Sequence, residues 1–127
     1  MRGITAKPVI RLIKLVEAVH HTARLFATGA ASKDVNARFR KFAEKIHGTA
    51  EQFEFELQTE LMRLSARRAA VSDNPNTSER AAFEALLEAY REALASNITA
   101  HARAMVTRQF QEMQRAYEEF ASTHLAA

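Results

Sequence analysis

YREALASNITAHARAMVTRQFQEMQRAYEEF, Tyr90 to Phe120, decides the fold, because it reads either as one long helix or as two. No glycine or proline follows residue 75, so nothing forces a break, and a single helix of about 45 residues would give an elongated three-helix bundle. The apolar positions argue for two helices. At about 100° per residue, Phe83, Leu86, Leu87, Tyr90 and Leu94 centre on one face. Val106, Phe110, Met113, Tyr117 and Phe120 centre more than about 90° away, whereas a left-handed bundle helix drifts slowly in the opposite sense. Between the two faces lies Ser96-Asn97-Ile98-Thr99, three cap-competent residues around a β-branched one. We place a break there. An 11-residue-type repeat through Leu94, Ile98, Ala102 and Met105 supports the unbroken alternative.

Upstream the stripes are plainer. Pro8 suits a first helical turn, and Leu12, Val16, Val19, Ala23 and Phe26 step by four and three. Gly29 followed by Ala-Ala-Ser predicts the end of this helix, with Ser32 as the next cap. A second stripe runs through Val35, Phe39, Phe42, Ile46, Phe53, Leu57, Leu61 and Leu64, with Gly48 inside it but off the stripe. Asp73 to Ser78 is a loop, and Asn76 with Glu79 resembles a capping box opening the third helix. A second helix from 34 to near 70 would outspan a 20-residue first helix by about 25 Å, unless it breaks near Gly48, ends near Ser65 or is covered by a second subunit.

Composition agrees with an all-α chain forming one domain over residues 1–127: three glycines, two prolines, no cysteine and 47% hydrophobic residues. Lacking cysteine, it has no disulfide framework, thiol nucleophile or cysteine metal site. No apolar run approaches the roughly 20 residues of a membrane span, and Arg11 and Lys14 interrupt VIRLIKLV, so a cytoplasmic protein is the expectation. The net charge of +3 is uneven: residues 1–46 carry ten Lys/Arg and three acids, net +7, and residues 47–127 carry eight and twelve, net −4. Lys7, Arg11, Lys14, Arg38, Arg40 and Lys41 offer a basic face for an anionic membrane or nucleic acid. That use is disfavoured, since no tight cluster or interleaved aromatic marks a phosphate-tracking groove.

The C-terminal third resembles the last two helices of a bacterial ferritin-like four-helix-bundle family of unknown function. The resemblance is carried by Tyr-Arg-Glu-Ala-Leu at 90–94, Ile98 in the turn, and Arg-Gln-Phe-Gln at 108–111. ELQTELMRL, Glu56 to Leu64, is similar to the end of that family's second helix. The resemblance implies an antiparallel, ferritin-like four-helix bundle. It departs from the family in the short stretch between the second and third helices, and in Tyr117, where the family's last helix often has a histidine.

Metal is the chemistry such bundles invite, with Glu-x-x-His a common ligand pair. EAVHH, Glu17 to His21, has that spacing, but Glu17 points about 140° from the first stripe, His20 about 80°, and His21 is expected to face solvent. Glu44 and His47 lie off their stripe likewise. Glu60 falls among Leu57, Leu61 and Leu64, so it requires a partner such as an arginine or the Tyr90 hydroxyl. Tyr90, Asn97 and His101 read as polar core groups. A metal-binding alternative, with iron or another divalent ion, would use Glu60, Glu84, Glu88 and His101; the favoured reading has no cofactor. No nucleophile–base set or phosphate loop is present in the sequence. Phe55 and Met62, seven apart, share the back of the second helix with Ala66 and Ala69 nearby. The expected function is a non-catalytic, stress-type bundle acting through a homodimer or a protein partner bound at that back stripe.

Overall fold

The computed structural model of the protein describes residues 7–31, 36–65 and 78–126. These form four helices and, among the described residues, no strand: α1 Lys7–Ala31, α2 Ala37–Ser65, α3 Glu79–Ala95 and α4 Ala100–Ala126. No described helix is long and apolar enough to cross a membrane.

The break after Ala95 excludes the three-helix alternative. Helix α3 closes with the Ser96 N–H donating to the Ala93 carbonyl (3.1 Å) and the Ser96 hydroxyl donating to the same oxygen (2.6 Å). Helix α4 opens with the Thr99 hydroxyl accepting from the Ala102 N–H (3.1 Å). Arg103 then bridges the corner, donating to the carbonyls of Leu94 (2.7 Å) and Ser96 (2.9 Å). Each contact satisfies a backbone group that a helix end would leave orphaned. Ile98 is buried at the turn and so anchors it from inside.

Helix α1 packs on α2 and α3, and α4 packs on α3 and α2. Consecutive helices α2 and α3 therefore occupy opposite corners, as do α1 and α4. All four helices meet at Phe26, whose ring lies 5.2 Å from Phe83, 6.0 Å from Phe42 and 6.2 Å from Phe120, centre to centre. Burying each such ring stabilises the fold by roughly 1.5–3 kcal/mol, and tilted or edge contacts add about 0.5–1.5 kcal/mol per pair.

Several helix ends differ from the sequence expectation. Helix α1 continues through Gly29 to Ala31. That glycine faces α2, where a Cβ would lie 3.3 Å from the Phe39 ring, so its role is close approach rather than termination. The side chain that caps α2 is Asn36, accepting from the Phe39 N–H at 2.7 Å; Ser32 and Val35 lie outside the described residues. Ser78 caps α3 through the Ala81 N–H, so Glu79 is the first helical residue; Asn76 lies outside the described residues. With 29 residues in α2 and 25 in α1, the difference of four is an overhang of only about 6 Å. Asn97 and His101 are exposed rather than core groups, because the break turns them out of the α3 stripe.

Candidate functional site

A buried polar network fixes how α2 is turned. Gln109, fully buried on α4, accepts from the Tyr90 hydroxyl of α3 (2.9 Å) and donates to the Glu56 carboxylate of α2 (2.8 Å). Arg108 donates to the same Glu56 oxygen (2.7 Å) and lies over the Phe53 ring at 5.7 Å. Partial burial works to raise the Glu56 carboxyl, but hydrogen bonds from Arg108, Gln109 and Gln52 outweigh it and hold the group below its ordinary value. Burial pushes the Tyr90 hydroxyl well above its ordinary value, so it remains a neutral donor to Gln109. Phe110 packs on Tyr90 (6.0 Å), and the Arg91 guanidinium lies over the Phe110 ring at 5.7 Å. The residues Tyr90, Arg91, Arg108, Gln109 and Phe110 thus meet at one place.

With Phe53, Leu57 and Leu61 inside and Glu56 held by α4, the opposite side of α2 must face outward. Phe55 is 66% exposed and Met62 50%, and only Ile10 joins them as a large exposed hydrophobic among the described residues. Gly48, Gln52 and Thr59 are exposed on the same side. The Thr59 hydroxyl is turned back to the Phe55 carbonyl (2.8 Å). Ala66 and Ala69 lie outside the described residues.

Of the metal candidates, Glu60 and His101 come together, whereas Glu84 and Glu88 have other neighbours. Glu60 is 3% exposed and held by Arg63 one turn on, with Nε at 3.1 Å; the Tyr90 hydroxyl goes to Gln109 instead. The exposed His101 imidazole lies 3.7 Å from Glu60, and Glu84 accepts from the Tyr117 hydroxyl at 3.1 Å. Glu88 lies beside Arg91 (3.4 Å) on the rim of an open groove between α1 and α3. Among the described residues no three of His, Asp and Glu gather closely enough to hold a metal ion.

EAVHH lies along that groove, of about 570 Å³, which Lys14, Glu17, His21, Glu88 and Glu92 line. His21 is half-buried with its Nε2 shielded, not solvent-facing as expected. The cause is that α1 is packed by both α2 and α3, so Leu15 and Thr22 join its buried arc and widen it. His20 pairs with Glu54 of α2 at 3.0 Å.

The basic residues form two groups. Arg11 pairs with Glu92 of α3 (3.0 Å). Arg38, Arg40 and Lys41 adjoin Phe39, which packs on Phe26, and Phe26 is fifteen residues (26 minus 11), about 22 Å, further along α1.

In the sequence Gln109 and Glu56 appear only within the stretches that carry the resemblance, not as site candidates. The available signal was the run Val106, Gln109, Met113, Ala116, Phe120, where a polar residue takes a buried step. No protein-family model, curated protein or solved structure matches the chain.

Proposed function

We propose that the protein is a non-catalytic helical bundle that acts by association through the outer side of α2, with a second copy of the chain as partner. The observation that carries this reading is the exposure of Phe55 and Met62 on one line of a helix whose other side already supplies the core. We read the bundle as antiparallel and ferritin-like. In support, α2 and α3 occupy opposite corners, so these consecutive helices are not packing neighbours as they would be in a simple up-down-up-down bundle. Paired residues also run in opposite order along neighbouring helices: Arg11 with Glu92 and Phe26 with Phe83, then Phe53 with Arg108 and Phe42 with Phe120. Tyr90, Gln109 and Glu56, which the buried network joins, each fall within the stretches that resemble the ferritin-like family.

Sedimentation tests the association. The wild-type chain is expected to dimerise with rising concentration, and Phe55→Asp to remain monomeric with its helical circular dichroism unchanged. A wild type that is monomeric up to about 500 μM, the weak end of specific association, would refute the reading.

A further inference from the structure

Resting on that association, we infer that two copies pair α2 against α2 in antiparallel register about a two-fold axis at Phe55, each Met62 seated over the partner's Gly48. The exposed line is Gly48, Gln52, Phe55, Thr59 and Met62, alternating steps of four and three, which is the spacing of a helix–helix seam. Gly48 and Met62 are each seven residues from Phe55. A two-fold at Phe55 therefore brings each glycine opposite a methionine, and Phe55 opposite its own copy. A Cβ built at Gly48 meets no atom within 4 Å, so the bare helix surface there is open to receive a side chain. Parallel pairing would instead oppose glycine to glycine, leaving a gap, and stack Met62 on Met62.

Four charged side chains bordering the line pair within the chain. Lys45 is held by Glu119 (3.5 Å), Glu51 by His47 (3.2 Å), Glu56 by Arg108 (2.7 Å) and Arg63 by Glu60. A second copy thus meets a surface on which Phe55 and Met62 are the large apolar side chains and these four charged groups already have partners, with Glu44 exposed one turn before Gly48. The buried area sets the strength. Gly48 to Met62 spans about 21 Å of a helix about 10 Å wide, roughly 200 Å² per copy. A stable interface needs about 800 Å² per partner, so the dimer is weak and concentration-dependent.

The chain has no cysteine, which makes the register directly readable. Gly48→Cys and Met62→Cys are each prepared alone and then mixed under mild oxidation at high protein concentration. Positions 48 and 62 lie about 21 Å apart on one helix, too far for a disulfide within a chain or between like positions of an antiparallel pair. The expected result is a covalent dimer from the mixture and none from either variant alone. If each variant crosslinks with itself, the pairing is parallel and the register is overturned while the association stands. If wild type dimerises, neither arrangement crosslinks and Phe55→Asp still dimerises, the interface lies elsewhere and both readings fall.

Discussion

Gln109→Leu tests whether the buried network holds the bundle together. Leucine has nearly the volume of glutamine, so the change removes hydrogen bonds without opening a large cavity. The Tyr90 hydroxyl, with its residue fully buried, would lose its acceptor, at about 1–3 kcal/mol for a stranded buried polar group. Glu56 would lose one donor but keep Arg108 at 2.7 Å, and as it is partly solvated this loss is about 0.5–1 kcal/mol. The variant should therefore lose about 1.5–4 kcal/mol in urea unfolding, out of a total of about 5–15 kcal/mol for an ordinary domain. Tyr90→Phe removes the stranded hydroxyl, so Tyr90→Phe/Gln109→Leu should cost about 1 kcal/mol or more less than the sum of the singles. Strict additivity, or a loss below about 0.5 kcal/mol for Gln109→Leu, would show that Tyr90 and Gln109 do not act as a pair.

Two further outcomes follow from the same geometry. Phe26→Ala should cost about 3–5 kcal/mol in urea unfolding, since the ring joins all four helices and little of its neighbourhood can collapse into the gap. Acid should act through Glu56: its carboxyl is lower in the folded chain than in the unfolded one, so the stability it contributes is complete above about pH 4.5 and is lost as pH falls through the folded value. Denaturant midpoints from pH 7 to pH 3 should accordingly show Glu56→Gln less stable than wild type at neutral pH, with the difference closing in acid.

The architecture was legible wherever one helix decides its own fate. The stripe shift between Leu94 and Val106 and the caps in Ser96–Thr99 are local, and the helix does break there. Gly29 misled because the glycine that ends a helix and the glycine that admits a neighbour's ring are the same residue, and only the position of Phe39 separates them. Likewise Asn76 and Ser78 are both competent caps on composition, and the choice falls to the residue whose oxygen reaches the Ala81 N–H.

The site was legible only in part for a related reason. The outward direction of Phe55 and Met62 is a property of α2 alone, and periodicity finds it. Whether a buried carboxylate or amide is satisfied depends on what the next helix brings, which no single stripe contains. Glu60 stands out as a polar residue on an apolar face, and its partner is an arginine, Arg63 of its own helix, with the His101 imidazole of α4 3.7 Å away. Gln109 stands out in the sequence only within the Arg-Gln-Phe-Gln resemblance, yet it joins α3 to α2 through Tyr90 and Glu56. That linkage reinforces the rotation that the apolar stripe of α2 already sets, so Phe55 faces outward on both counts.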